Sequence, residues 1–275
     1  MQSLHPAFAS SYKRLAAACS RFGATLESPS GDGYVRRLMY HRKSIVFTAE
    51  ALPLNTAAAQ ALARDKIATY QLLEAARLPI PHWFPFFGKR HLDIITNTDP
   101  GMHLKNLTAR LQQHFPHFLV SQLPHLIVKP GRSSGGNGVA RCTTMDEILR
   151  AAKHSLEFSY SGVVQEYVDG TDYRVVFLNN KLLVMTHDEQ TKIFFDDVIS
   201  TDVHDFVSKA QQALGLRYGS LDLRKKADGS FVILELNGNP GFDRLEKFAP
   251  DRVATITNTI LHELIALLST TKVLL

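Results

Sequence analysis

A short apolar strand that ends in a lysine and runs directly into a glycine-rich loop is the feature that most constrains this fold. The strand is Leu126-Ile-Val-Lys129, and the loop spans residues 131–138. Glycines let backbone amides come close to phosphate oxygens, and serine hydroxyls add further donors. The loop lacks the terminal G-K-S/T of a P-loop. The pattern therefore predicts a phosphate-binding loop of another kind, with an ordinary flexible hairpin as the alternative.

Short strands alternate with helices along the rest of the chain, which predicts an α/β or α+β fold. The 275 residues are enough for two packed modules or one large unit. The predicted helices are 4–27 (ending near Gly23), 56–76 (interrupted near Asp65), 103–115, 144–156, 203–214 and 251–268. The predicted strands are 34–47 (as a hairpin or short strands), 82–87, 126–129, 163–168, and the hairpins 172–178 with 181–187 and 218–224 with 230–237.

Composition narrows the class of protein. The sequence has no run of about 18 apolar residues, so we expect no transmembrane helix. Its first twenty residues lack the basic-then-apolar pattern of a secretory signal. Two cysteines, Cys19 and Cys142, do not suggest a disulfide framework. The net charge of +5 is spread without a basic block, which argues against nucleic-acid binding. We therefore expect a cytoplasmic protein with a phosphate-binding cleft.

Two acidic residues and an asparagine fall on neighbouring predicted strands near the C-terminal end. Asp222 is on the first strand, and Glu235 and Asn237 are two residues apart on the second. Side chains two apart leave the same face of a strand. Oxygen ligands on one sheet face suit Mg²⁺, which takes few protein carboxylates together with water and phosphate oxygens. The pattern predicts a metal site, with solvated surface acids as the alternative.

A third segment, 165–174, joins an apolar strand to a sharp turn at Gly170. Asp169, Asp172 and Arg174 flank the turn. Exposed backbone here would suit a purine edge, and a carboxylate would suit ribose hydroxyls. Taken alone, the segment is as consistent with a structural turn.

The order of these motifs along residues 55–245 resembles the ATP-grasp superfamily. The likeness is greatest to RimK-type ligases and to the ATP-grasp parts of cyanophycin synthetase and bifunctional glutathione synthetase. It implies an α+β ATP-grasp fold, in which two α+β subdomains grip ATP, with a short N-terminal α/β segment. The expected division is 1–60 for that segment, 61–125 for a linker helix and the start of the grasp, 126–170 for the lid subdomain and 171–275 for the metal-binding subdomain.

The resemblance also implies roles for individual residues. Arg174, Lys129 and Asn237 would be catalytic, and Asp222, Glu235 and Asn237 would hold Mg²⁺ or Mn²⁺. The segment after the second metal strand, with Asp243, Arg244 and Glu246, would line the acceptor site or be plain surface charge. Nucleotide contacts would come from Lys66, Lys129, Ser133, Ser134, Gly135, Gly136, Gly138, Gln165, Glu166, Tyr167, Val168, Asp169 and Asp172.

The implied activity is formation of an amide bond between a carboxylate and an amine through an acyl-phosphate, with ATP and Mg²⁺. A kinase on the same fold and a non-catalytic nucleotide-binding module are the alternatives. The partners would be small-molecule or peptide substrates, and a homodimer is expected because the family often forms oligomers. The sequence departs from many relatives at 186–200, where an arginine is missing and Lys192 is its candidate substitute.

Overall fold

The computed structural model describes residues 6–88, 106–116, 125–187, 192–194 and 199–270 of the chain. Eight helices and twelve strands fall within these ranges. The helices are α1 (Pro6–Arg21), α2 (Ala57–Arg64), α3 (Lys66–Ala75), α4 (Leu107–His114), α5 (Met145–Phe158), α6 (Thr201–Leu214), α7 (Asp243–Glu246) and α8 (Pro250–Thr270). The strands are β1 (Thr25–Glu27), β2 (Val35–Tyr40), β3 (Lys43–Thr48), β4 (Trp83–Phe87), β5 (Leu126–Pro130), β6 (Ala140–Cys142), β7 (Ser161–Glu166), β8 (Thr171–Leu178), β9 (Lys181–His187), β10 (Lys192–Phe194), β11 (Tyr218–Lys225) and β12 (Phe231–Asn237).

The described strands form three antiparallel sheets. The first has three strands in the order β1-β2-β3, and the second has four in the order β4-β7-β5-β6. The third has five strands in the order β10-β9-β8-β11-β12. The four-stranded sheet carries the lysine strand β5, and the five-stranded sheet carries the acidic hairpin β11-β12.

The helix predicted over 56–76 is split at Asp65, as the sequence indicated. Thr56 caps α2 by accepting from the amide of Ala59. Asp65 has extended backbone and caps α3 by accepting from the amides of Ile67 and Ala68. Two capped starts in succession fix the direction of α3, because each cap satisfies amides that a helix start leaves unpaired.

Both predicted hairpins near the C-terminal end are confirmed. Asn179 and Asn180 join β8 to β9 with positive φ angles of 50° and 63°, the conformation of a two-residue turn that matches strand twist. In the turn between β11 and β12, Gly229 has a φ of +86°, and Asp228 accepts from the amide of Ser230. These turns set the register of the five-stranded sheet.

Several short elements and boundaries differ from the sequence-based prediction. The first helix ends at Arg21, two residues before its predicted end near Gly23, where the chain turns and enters β1. The strand predicted over 163–168 lies at 161–166. Strands β1, β6 and β10 and helix α7 were not predicted, since three or four residues are too few to show a period. The start of the helix predicted over 103–115 lies outside the described residues.

The five-stranded sheet separates two apolar cores. Val175 and Phe177 of β8 pack into one core with α3 and α6, whereas Val176 and Leu178 pack into the other with α1 and α8. This alternation is the period of two expected of a sheet buried on both faces. Within the described residues, α8 has the length and mean hydropathy (1.3) of a candidate membrane span. Its apolar side chains, including Ile256 and Leu264, pack in the second core, as in a core helix of a globular protein.

Candidate functional site

Four residues form a row across the five-stranded sheet. The strand register places Thr186 opposite Arg174, Arg174 opposite Asp222, and Asp222 opposite Glu235. Residues directly opposite each other on neighbouring strands point to the same face. The pairing of the Asp222 and Glu235 strands is as the sequence predicted, and the row adds a basic and a hydroxyl side chain to it.

Arg174 and Asp222 make a bidentate ion pair at the centre of this row. Arg174 Nε lies 2.6 Å from Asp222 Oδ1, and Nη2 lies 2.7 Å from Oδ2. The planar guanidinium fits a carboxylate in this two-point geometry. The hydrogen bonds to Asp222 raise the pKa of Arg174 above its usual value. Arg174 is therefore a fixed positive charge at this row.

Lys66 connects the glycine-rich loop to the acidic strand β12. Its Nζ lies 3.2 Å from Glu235 Oε1 and donates to the Ser133 carbonyl at 3.2 Å. Its backbone amide donates to the Gly131 carbonyl. The Lys66 side chain is only 10% exposed, so its charge is held between the loop and the sheet. The nucleotide-contacting role predicted for Lys66 is compatible with this position.

The glycine-rich loop is shaped by left-handed backbone. Gly135, Gly136 and Gly138 have φ angles of +64°, +76° and +73°, a region that side-chain-bearing residues rarely enter. A Cβ at Gly138 would lie 2.7 Å from the Pro130 ring and 2.9 Å from Phe158, whereas one at Gly135 would meet nothing within 4 Å. The loop is thus packed at its end and open at its tip, where Ser134 is exposed.

Lys129 is a half-buried cation at the end of β5. Burial is the main cause that lowers its pKa to about 8; Glu235 and Asp222 oppose the shift, and the nearby cations Lys66 and Arg224 add to it. Among the described residues its ammonium has no hydrogen-bond or ion-pair partner. A desolvated cation with no fixed counter-ion is a strong site for an anionic group.

A cavity of about 470 Å³ lies between the glycine-rich loop and the five-stranded sheet. The volume is in the usual range for small-molecule sites. Charged, polar and apolar side chains all line it. The lining residues are Lys129, Gly136, Val139, Asp172, Tyr173, Arg174, Val176, Val184, Thr186, Asp222, Arg224, Leu234, Glu235, Gly241, Phe242, Arg244 and Leu245.

Segment 165–169, which was predicted to contact the nucleotide, uses many of its polar groups in hydrogen bonds within the protein. Gln165 is 2% exposed, and its Oε1 lies 2.6 Å from the Tyr70 hydroxyl. The amides of Glu166 and Tyr167 donate to the carbonyls of residues 82 and 125. Asp169 accepts from the next amide and is exposed. The structure therefore places the Gln165 side chain in the core rather than on the cavity wall.

The metal ligands predicted from the sequence fit a Mg²⁺ site in donor chemistry. Asp222 and Glu235 are a cross-strand pair, and Asn237 lies two residues further along the same strand. All three offer the hard oxygen atoms that Mg²⁺ prefers. In the described part of the chain no group of three His, Cys, Asp or Glu side chains surrounds one point. A cation here would share Asp222 with Arg174 and Glu235 with Lys66.

Of the residues after β12, some make contacts within the protein and others line the cavity. Asn239 donates to the Ala49 carbonyl, so its side-chain amide makes an internal contact. Asp243 and Glu246 bind Arg14 of α1, with Arg14 Nη1 lying 2.9 Å from Asp243 Oδ1. Arg244 lines the cavity. Of the three charged residues expected near an acceptor site, only Arg244 lies on the cavity wall.

Arg224 is a cavity residue that the sequence analysis missed. Its Nε lies 2.5 Å from Asp172 Oδ1, and its Nη1 donates to the Val168 carbonyl at 2.7 Å. Through these contacts Arg224 holds both Val168, which follows β7, and Asp172 of β8 against β11. The signal for it was present, because Arg224 lies two residues after Asp222 and alternation places both on one face.

Comparison with known proteins gives distant relatives. No protein-family model matches the sequence. The chain is 24% identical over 203 residues to D-alanine–D-alanine ligase B of Pseudomonas putida, covering 66% of this chain and 57% of that protein. It is 25% identical over 219 residues to the D-alanine–D-alanine ligase of Haemophilus influenzae, covering 72% and 67%. The chain thus spans little more than half the length of the Pseudomonas relative.

Solved structures show the same fold. The ATP-grasp ligase PsnB, complexed with a precursor peptide and AMPPNP, gives a TM-score of 0.52 at 23% identity, over 76% of this chain and 60% of that one. PsnB has also been solved with Mg and ADP. The VanG D-Ala:D-Ser ligase from Enterococcus faecalis gives 0.56 at 18% identity, over 78% and 64%. The protein has the α+β ATP-grasp fold, as the sequence predicted.

Proposed function

We propose that this protein is an ATP- and Mg²⁺-dependent ligase that joins a carboxylate to an amine through an acyl-phosphate. The observation that carries the proposal is the row of Arg174, Asp222 and Glu235 facing Lys129 across one cavity. The similar proteins are named as ligases of D-alanine or of a precursor peptide, which supports amino acids or peptides as substrates.

The reaction explains why so many charges meet here. A substrate carboxylate oxygen attacks the γ-phosphorus of ATP, forming a C–O–P link and releasing ADP. Because both reactants are anions, positive charge must be in place as they approach. Lys129 and Arg174 line the cavity where this happens, and Lys66 holds the loop beside it. Mg²⁺ bound by Asp222, Glu235 and Asn237 would neutralise phosphate charge and orient it.

The second step places different demands on the site. The amine nitrogen attacks the acyl carbon, and phosphate leaves as the amide bond forms. An acyl-phosphate is lost if water reaches it first, so the cavity must be covered. The glycine-rich loop borders the cavity through Gly136, and we propose that it covers the bound reactants. No protein nucleophile is needed in either step.

Finer features of the function are part of the same proposal. The motif order from Lys66 through Asn237 supports a RimK-like or glutathione-synthetase-like subtype. We also propose a cytoplasmic location and a homodimer, and we assign the units 1–60, 61–125, 126–170 and 171–275 as predicted. Lys192 lies at the start of β10, and most of segment 186–200 lies outside the described residues. The proposal that Lys192 takes the place of the missing arginine therefore rests on the sequence.

Glu235→Gln tests the assignment at a single atom pair. The change keeps the size of the side chain and removes the charge that would bind Mg²⁺ and that pairs with Lys66. We expect the rate of ATP-dependent ligation to fall about 100-fold or more, with the melting temperature little changed. Glu157→Gln, which removes an exposed carboxylate of α5, is the matched control. Wild-type turnover by the Glu235 variant would refute the metal and phosphate assignment.

A further inference from the structure

Four side chains form a square on one face of the hairpin β11-β12. The strand register places Asp222 opposite Glu235 and, two residues along, Ser220 opposite Asn237. Residues two apart on a strand point to the same face, as do directly opposed residues on neighbouring strands. Three corners of this square are the residues proposed to bind Mg²⁺, and the fourth is the hydroxyl of Ser220.

Ser220 is more deeply buried than the two acidic corners of the square. It is 0% exposed, whereas the side chains of Asp222 and Glu235 are 23% and 32% exposed. Its Oγ is buried and makes no hydrogen bond within the part of the chain that the structure describes. Val176, its neighbour on β8, offers no polar side-chain atom. A buried hydroxyl without a partner lowers stability, so its presence beside the metal ligands points to a role in the site.

Two side chains fix the backbone next to Asn237. Asn55 Nδ2 donates to the carbonyls of Tyr218 and Gly238, at 2.8 Å and 2.9 Å. Gln60 Nε2 donates to the same Gly238 carbonyl at 3.0 Å. The start of β11 and the end of β12 are thereby tied to each other. The side-chain amide of Asn237 makes no hydrogen bond to another described residue, so its orientation is what remains to be set.

The two ends of an asparagine amide are nearly equal in size, but only the oxygen can bind a cation, because the nitrogen is a donor. We propose that Ser220 is a positioning residue for Asn237: the Ser220 hydroxyl oxygen accepts from Asn237 Nδ2, so that Asn237 Oδ1 faces the cation. The inference rests on the proposed function, because it needs the Mg²⁺ site proposed there. Partners of this kind behind a metal ligand fix its orientation, and their loss lowers metal affinity about 10- to 100-fold.

The effect of Mg²⁺ on ADP binding measures this role without turnover. ADP is titrated into the whole protein by calorimetry, with and without saturating Mg²⁺, and the ratio of the two affinities gives the contribution of the cation. We expect Ser220→Ala to lower this ratio about 10-fold and to leave metal-free ADP binding unchanged. The metal-free melting temperature should not fall, because alanine removes an unsatisfied hydroxyl. Ser208→Ala, on the exposed face of α6, is the matched control and keeps the wild-type ratio.

Asn237→Asp provides a second background for the same substitution. Both ends of an aspartate carboxylate are oxygen atoms, so no orientation has to be selected. We expect Ser220→Ala to change the Mg²⁺ ratio less than about 2-fold in the Asn237→Asp variant, since the coupling between the two positions is then lost. A packing role of Ser220, or direct binding of its hydroxyl to the cation, would instead lower the ratio in both backgrounds.

The outcomes separate this inference from the proposed function. An equal loss in both backgrounds, or an unchanged ratio when Ser220→Ala is the only substitution, would overturn the role of Ser220 and leave the proposed function intact. ADP binding that does not respond to Mg²⁺ in the wild type would overturn both. A loss that is confined to the asparagine background, in a protein that forms no amide product, would support the role of Ser220 and refute the ligase assignment alone.

Discussion

At the scale of single residues, Lys129 shows most clearly how a group that lowers the stability of the fold can serve ligand binding. Its ammonium is desolvated and lies near a second cation, Lys66, so its pKa falls to about 8. A group whose charged form is disfavoured by the fold costs stability while it stays charged. The position is explained if the missing counter-charge comes with the ligand, since phosphate oxygens would supply it.

Replacing Lys129 with an apolar side chain separates its contribution to ATP binding from its cost to stability. We expect Lys129→Met to weaken ATP binding at least 10-fold and to raise the melting temperature at pH 7 by about 2 °C or more. Titration of ATP and a thermal scan on the same samples measure both. Lys153→Met, on the exposed face of α5, is the control. A variant that is less stable than wild type at pH 7 would contradict this account.

The pH dependence of the stability gain expected for Lys129→Met follows from the direction of the Lys129 pKa shift. The folded-state pKa of Lys129, about 8, lies below the ordinary value of 10.5. Between these values the unfolded chain binds more protons, so wild-type stability rises with pH. The gain of Lys129→Met should therefore be full below pH 8 and shrink towards pH 10.5. A gain that is the same at pH 7 and pH 10 would show that the lysine is not desolvated.

At the scale of elements, Tyr70 joins three of them. Its hydroxyl on α3 lies 2.6 Å from Gln165 Oε1 on β7 and 2.7 Å from the Leu234 carbonyl on β12. Burial raises the pKa of Tyr70, so the hydroxyl stays protonated and can donate. This contact links the four-stranded sheet to the five-stranded sheet at Leu234, which lines the cavity.

Removing that hydroxyl takes away the one proton that the Gln165 and Leu234 oxygens share. We expect Tyr70→Phe to lower the free energy of unfolding by about 1–3 kcal/mol, measured by urea denaturation. Tyr34→Phe is the control, because the Tyr34 hydroxyl has no hydrogen-bond partner among the described residues. Equal stability of the two variants would show that the contact does not join the sheets.

The glycine-rich loop offers a matched pair of substitutions. Gly135→Ala and Gly138→Ala both force alanine into left-handed backbone, but only the second places a Cβ against Pro130 and Phe158. We expect Gly138→Ala to cost about 1–3 kcal/mol more than Gly135→Ala and to weaken ATP binding more. Denaturation and nucleotide titration measure the two losses. Equal losses would show that the end of the loop is not held by this packing.

The helices and strands could be predicted from the sequence where a local residue pattern determines them. The split at Asp65, the Asn179-Asn180 turn and the pairing of the Asp222 and Glu235 strands all follow from capping, turn chemistry and alternation. The contact between Lys66 and Glu235 could not be predicted, because no local spacing specifies which helix start meets which strand. The buried position of the Gln165 side chain was likewise invisible, since it depends on Tyr70 from another element.

At the scale of the whole molecule, the cavity lies between two sheets that belong to different parts of the chain. The four-stranded sheet contributes Lys129 and leads into the loop, and the five-stranded sheet contributes the charged row. Neither sheet alone carries both the free cation and the acidic pair. The proposed chemistry therefore depends on their relative placement, which Tyr70 and Lys66 help to hold.

The central claim is tested most directly by incubating the protein with ATP, Mg²⁺ and pools of amino acids and short peptides. ADP, free phosphate and product mass would be measured together. A ligase must release one phosphate for each product, require two added substrates, and give a product lighter than their sum by one water. A product heavier by a phosphoryl group, with no free phosphate, would contradict this account and identify a kinase on the same fold.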